Sequence, residues 1–304
     1  MAGCSGHSKN LKFGAADIGG VYYSFASTFT QLADKEIDGY TFETKTTAGS
    51  VANLRLISDG YIDLAIVQAD LLSDAYNATG TFADKKYQKG YKAVASLYTE
   101  CCQIVVRKDS GITGIDDLIN KTVSVGASES GTEKNAEQIL KMSGITDELI
   151  NKVNMDYTEA AEKLKAGEID AFFCTAGTRT EVIGQLSKEC DIRLISLDDK
   201  CIDKMLSAYS LCEKYTIPAG TYNGQDSDVT TIGVKAVLIA KQSLSDDVIK
   251  NVTKTIYEHA DDFKYATSLD ISFDINTAAD GVDIPFHSGA AAYYTERGIN
   301  VLTE

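Results

Sequence analysis

The chain carries one pattern twice, and that repetition restricts its fold more than any other feature. LRLISDGYIDLAIVQAD (54–70) reads as a helix end, a glycine, Ile-Asp and an apolar run closed by polar residues; KLKAGEIDAFFCT (163–175) repeats the order. In the first copy Val51, Leu54 and Ile57 fall near helical spacing, and Gly60 stands where a left-handed residue ends a helix. Ile62–Val67 is mostly apolar and too short for a helix, so it reads as a strand buried on both faces. Gln68 and Asp70 follow at its carboxyl end, the edge on which open α/β sheets place ligands.

A second shared pattern lies upstream of each copy. Leu11–Ala15 leads through ADIGG into the helix-like VYYSFASTFTQLA, and Thr122–Ala127 leads through SESGT into EKNAEQILKM. Both read strand, Gly-Ala, small polar loop, helix. Two such units in the same order predict two similarly built α/β lobes. The first takes residues 11–99, with strands at Phe42–Thr46 and Ala93–Tyr98 and a helix around Leu71–Tyr76. The second takes residues 100–242, with strands at Gln103–Arg107 and Leu194–Leu197, a helix over 201–215 and a returning strand at Val234–Ala240. Residues 243–304 return to the first lobe, with a helix capped by Ser245 and a final helix stopped by Gly298. Residues 1–10 are a tether.

At 304 residues the chain can bury a large core. Its net charge of −15, with no basic run, argues against a nucleic-acid role. No stretch approaches the length of a membrane-spanning helix. Catalytic chemistry is thinly supplied: three histidines (His7, His259, His287), no H-E-x-x-H, no G-x-S-x-G and no P-loop. Neither a catalytic group nor a metal ligand nor a cofactor site is expected. His287 reads as a cap of the last helix. Seven cysteines include no C-x-x-C; the six after Cys4 are expected as mostly buried free thiols, with Cys190 to Cys201 or Cys212 the first pairing to check.

What the chain offers repeatedly is small polar residues where helices follow strands: Gly19–Tyr22, Thr47–Ser50 (Ser50 as the cap) and Ser128–Thr132, including Ser130 and Gly131. Each such end presents unpaired backbone N–H groups and about half a positive charge. They share an edge with Gln68, Tyr98, Cys174 and Thr175. Two lobes with those edges facing would enclose a polar cleft suited to a small anion or zwitterion. Arg179 is a weaker candidate charge partner.

The motifs GGVYY (19–23), TTAGSVANLRLI (46–57), DLAIVQAD (63–70), AVASLYTE (93–100), VRKDSGI (106–112), VSVGASESGT (123–132), IPAGTY (217–222) and PFHSGAAAYYTERG (285–298) occur in this order. In this the chain resembles the TAXI subgroup of substrate-binding proteins of tripartite ATP-independent periplasmic (TRAP) transporters. The resemblance implies an α/β protein with two lobes of the type II periplasmic-binding-protein fold and the ligand cleft between them. It implies an extracytoplasmic, non-enzymatic receptor that delivers a small carboxylate, a glutamate-like amino acid or a dicarboxylate, to the membrane subunits of a sodium-coupled transporter. Gly20, Tyr22, Ser50, Gln68, Tyr98, Ser128, Ser130, Gly131 and Thr132 are then the cleft candidates, with Thr175 a weaker one. Cys101, Cys102 and Cys174 depart from the family pattern near the cleft.

Ala2-Gly3-Cys4 has the form of the end of a bacterial lipobox, which makes Cys4 a candidate lipid anchor at the cell surface or periplasm, and a monomer is expected. Two rivals stand beside this reading. One is an enzyme on the same two-lobed fold, with His287 or Cys174 as its tempting groups. The other is the ligand-sensing domain of a signalling system, against which the lack of an output domain in this sequence counts.

Overall fold

A computed structural model describes residues 9–84, 87, 90–268 and 273–304, so Cys4 falls outside the described residues, and the last two residues of the expected tether, Lys9 and Asn10, belong instead to the first strand. In chain order the elements are β1 (Lys9–Gly14), α1 (Val21–Glu36), β2 (Tyr40–Lys45), α2 (Ser50–Ser58), β3 (Leu64–Gln68), α3 (Ala69–Asn77) and β4 (Tyr91–Arg107). Then come β5 (Thr122–Ser124), α4 (Gly131–Met142), β6 (Asn151–Val153), α5 (Tyr157–Ala166), β7 (Ala171–Ala176), α6 (Glu181–Glu189), β8 (Ile192–Leu194) and α7 (Asp199–Ala208). The chain ends through β9 (Cys212–Ile217), β10 (Val229–Lys241), α8 (Asp246–Glu258), α9 (Ala260–Thr267) and α10 (Ser288–Thr295).

The strand order repeats as the sequence does. One half runs β2-β1-β3-β10-β4 and the other β6-β5-β7-β4-β8. In each, three parallel strands are followed by an antiparallel one that comes from a long strand shared with the other half. β4 pairs with β10 up to Cys101 and with β7 from Cys101 onward. β10 pairs with β9 over Val229–Val234 and with β3 over Ala236–Ala240. Both long strands therefore pass from one half to the other without a break.

The Gly-x-Ile-Asp motifs explain the match. The Asp63 N–H donates to the Lys12 carbonyl at 2.8 Å, and its carboxylate accepts the Lys12 N–H at 2.9 Å. Asp170 does the same with Thr122, both at 2.8 Å. Each aspartate thus clamps the start of its strand to the neighbouring parallel strand. The glycines before them, Gly60 (φ 83°) and Gly167 (φ 75°), take the left-handed conformation that turns α2 and α5 back toward the sheet.

All five residues of β3 are buried, as expected for a strand covered on both faces. The core of the first half gathers Phe13, Phe25, Leu54, Ile66, Val237, Ile249 and Phe286, with Phe25 stacked on Phe263 at 4.4 Å between ring centres. A second cluster holds Ile104, Val123, Ile139, Phe173 and Met205. The helices after residue 243 pack against α1 and β4.

Several local expectations are corrected. The strands at 93–98 and 103–107 are one strand. The helix foreseen to residue 215 stops at Ala208, and Cys212–Ile217 is a strand on β10. The strand near 194–197 lies at Ile192–Leu194. Gly49, not Ser50, caps α2; Ser50 is its first residue, and its Oγ accepts the Gln68 N–H at 3.1 Å. Cys101, Cys102, Cys174, Cys190, Cys201 and Cys212 are all free, so the Cys190 pairing does not form.

Candidate functional site

A cavity of about 280 Å³ lies between the two halves. Four helices begin at it: α1 at Gly20, α2 at Gly49–Ser50, α4 at Ser130–Gly131 and α5 at Asp156–Tyr157. They follow β1, β2, β5 and β6, the first two strands in chain order of each parallel set of three, so the fold's internal symmetry brings four positive helix ends to one space. The Ser130 hydroxyl caps α4 by accepting the Glu133 N–H, and the Asp156 carboxylate caps α5 by accepting that of Glu159. The starts of α1 and α2 have no side-chain cap. One N–H of α2, at Ala52, donates across the cleft to the Glu129 carbonyl at 3.0 Å.

Toward the interior the lining is made by Tyr22, Gln68, Glu100, Thr132, Tyr157 and Thr175. The Thr132 hydroxyl accepts the Thr175 N–H at 3.1 Å and bonds to the Tyr157 hydroxyl at 2.6 Å. Tyr157 in turn donates to the Thr175 carbonyl at 2.9 Å. This triangle ties α4, α5 and β7 together, so the Thr132 and Tyr157 hydroxyls are largely committed to structure. Gln68 reaches over the start of α4 and donates to Asn135 Oδ1 at 3.0 Å. Only glycine allows that approach at position 131: a Cβ there would sit 2.3 Å from Gln68 Oε1.

Glu100 is 2% exposed and accepts a hydrogen bond from the Tyr22 hydroxyl at 2.8 Å. Burial pushes its carboxyl up to about 8, against the donors Tyr22 and Gln68 and with help from nearby Asp70. Gln68 Oε1 and Thr175 Oγ1 are buried and without partners among the described residues, as is Asp17 Oδ2. Asp17 is shifted upward, first by burial and then by Asp156. No lysine, arginine or histidine lines the cavity.

Of the residues singled out in the sequence, Gly20, Tyr22, Ser50, Gln68, Ser130, Gly131, Thr132 and Thr175 line this space. Tyr98 and Ser128 do not: Tyr98 is buried with its hydroxyl unpaired, and Ser128 is exposed on the loop before α4. Arg179 is exposed and outside the lining. His287 caps α10 by accepting the Gly289 N–H at Nδ1, away from the cavity. Cys101 and Cys102 are buried, with burial pushing both thiols up to about 12, and Cys174 is buried beside the cavity wall without lining it. The reading missed Asp17, Glu100, Asp156 and Tyr157.

Two similarly wound α/β halves, joined by shared long strands and facing each other across a cavity at their strand ends, are the two-lobed fold of periplasmic binding proteins. The chain belongs to the NMT1-like family, which it matches over residues 13–298. Among solved structures, PhnD1 from Prochlorococcus marinus in complex with methylphosphonate is 12% identical, with 87% of this chain and 93% of that chain covered and a TM-score of 0.61. The periplasmic binding protein BugD is 10% identical, with 85% of each chain covered and a TM-score of 0.58. An ancestral arginine-binding protein bound to arginine is 14% identical, with 86% and 98% covered and a TM-score of 0.52. At such identities the likeness is one of fold. No helix among the described residues is long and apolar enough to cross a membrane.

Proposed function

We propose that this protein is an extracytoplasmic solute receptor that binds a small carboxylate, an amino acid or a dicarboxylate, by closing two lobes over it. The lobes are residues 11–99 with 243–304, and residues 100–242, except that the Ala236–Ala240 part of β10 goes with the first through its pairing with β3. The observation that carries the reading is the convergence of four helix starts on one cavity between the halves. Backbone N–H groups at helix starts hold carboxylates without an arginine, and a ligand touching both lobes favours the closed form because only there are all its contacts made. The ligand-binding set is Gly20, Tyr22, Ser50, Gln68, Ser130, Gly131, Thr132 and Thr175, with Glu100 and Tyr157 added. The sequence motifs support delivery to a sodium-coupled TRAP transporter and lipid anchoring through Cys4.

Mass spectrometry of small molecules released from natively purified protein tests this reading, followed by thermal-shift screening of amino acids and dicarboxylates. Release of an unmodified carboxylate that raises the melting temperature on re-addition is expected. A panel in which no carboxylate shifts the melt would overturn it. Glu100, a perturbed carboxyl in the cleft, is the one feature that favours an enzyme instead. Conversion of the released carboxylate on incubation with the protein would establish that second reading.

A further inference from the structure

The charge of the cavity lining selects among carboxylates. Three acidic side chains, Asp17, Glu100 and Asp156, face the space and no basic one does. The helix starts can take one carboxylate, but among the described residues they are the only positive groups at the cavity, and a second carboxylate would meet Asp17 or Glu100. Glu100 itself lacks a counter-charge: its donors, the Tyr22 hydroxyl and the Gln68 amide, are neutral, and no lysine, arginine or histidine pairs with it among the described residues. A carboxylate so deeply buried is stable as an anion only when a cation reaches it. Beside it, Gln68 Oε1 and Thr175 Oγ1 are buried, unpartnered and on the cavity wall. Once a cation reaches it and it ionises, the Glu100 carboxylate accepts hydrogen bonds only, as the amide oxygen does, and the threonine hydroxyl can accept as well. The unfilled capacity here is that of acceptors waiting for a donor.

We infer that the cavity is built for a ligand bearing a protonated amine next to its carboxylate, the amine seated on Glu100 with Gln68 Oε1 and Thr175 Oγ1 within its reach, and that the ligand's net charge is zero or positive. Neutral α-amino acids satisfy this description. Amine-free dicarboxylates do not, and an acidic amino acid fits less well because its side-chain carboxylate adds a charge the lining opposes. This inference rests on the receptor reading above and narrows its ligand class.

Matched pairs that differ only in the α-amine test it: L-glutamine against glutaramate, L-alanine against propionate and L-glutamate against glutarate, each titrated calorimetrically into the full chain. Loss of the amine should weaken binding at least about tenfold, since a buried acceptor left unpaired discriminates strongly against the analogue lacking its donor. L-Glutamine should also bind more tightly than L-glutamate. In Glu100→Gln, checked for folding by its melting curve, the amine-dependent difference should shrink to within about threefold. Glutarate or propionate binding as tightly as its amine-bearing partner would overturn the inference while leaving a carboxylate receptor in place. Failure of every member of all three pairs to bind would overturn the receptor reading with it.

Discussion

Arg55 on α2 and Glu129 on the loop before α4 meet across the cleft in a two-pronged ion pair, Nη2 to Oε2 at 2.6 Å and Nε to Oε1 at 3.2 Å. The same Glu129 offers its carbonyl to the Ala52 N–H, so one residue from the second half holds the start of α2 by both backbone and side chain. These contacts exist only while the halves are together, and they lie at the rim rather than in the cavity.

Removing that pair should therefore loosen closure without changing what is recognised. The partners are about a third or more exposed, so the interaction contributes at most about 1 kcal/mol. Arg55→Ala is expected to weaken ligand binding by about two- to fivefold, mainly through faster release, and to leave the ligand-free melting temperature within about 2 °C. Raising the salt to about 1 M should erase the difference from the unaltered protein. Stopped-flow release rates at two salt concentrations check both points.

Gly131→Ala should act inside the cavity. The added methyl would sit 2.3 Å from Gln68 Oε1, so the amide must swing away and abandon Asn135. A loss of binding of about thirtyfold or more is expected with little change in secondary structure, because overpacking and a broken buried hydrogen bond together cost about 2–3 kcal/mol. Calorimetry of the variant with whichever ligand the unaltered protein releases provides the measurement.

The acid groups set a pH trend. Folding raises the carboxyls of Glu100 to about 8 and Asp70 to about 6, in each case first through burial, so the folded chain holds these protons more tightly than the unfolded one. Their contribution to stability is then present at low pH and is lost as pH climbs through those values. Tyr22, Gln68 and Asp70 face Glu100; Asp74 and Gln138 face Asp70. Glu100→Gln should melt higher than the unaltered ligand-free protein above about pH 8, with the curves converging below about pH 5. Melting curves that stay parallel across that window would contradict the assignment.

The paired aspartates make a further comparison. Asp63→Asn and Asp170→Asn each weaken a charge-assisted bond to a backbone N–H, and each should destabilise by about 1–2 kcal/mol in urea unfolding. Asp63 also pairs with Lys241 at 2.8 Å, so its loss should be the larger.

The repeated Gly-x-Ile-Asp pattern made the architecture legible because the aspartate, the glycine and the apolar strand do the same physical work in both halves. The positive helix starts were legible for the same reason: Gly20, Ser50 and Gly131 sit where strands hand over to helices. Glu100 was not, because it falls between the two strands expected at 93–98 and 103–107, at the division after residue 99, whereas Tyr91–Arg107 is one strand that runs past the cavity. Tyr157 escaped notice because its value depends on Thr132 and Thr175, both remote in sequence. The strand Cys212–Ile217 lies at the sheet edge, has no clean polar-apolar alternation and follows a helix after three residues, so local pattern alone merged the two.

Because β4 and β10 thread both sheets and pair with each other from Cys101 and Gly233 back to Tyr91 and Lys241, the hinge of the proposed closure is woven into a hydrogen-bonded ribbon instead of being left to a slack connecting loop. Opening must be spread as a gentle twist along that ribbon, so amides near the pivot should exchange with solvent slowly even while the mouth of the molecule opens and shuts. The first half is not a contiguous piece of polypeptide and the second shares both long strands with it, so neither should survive being expressed alone.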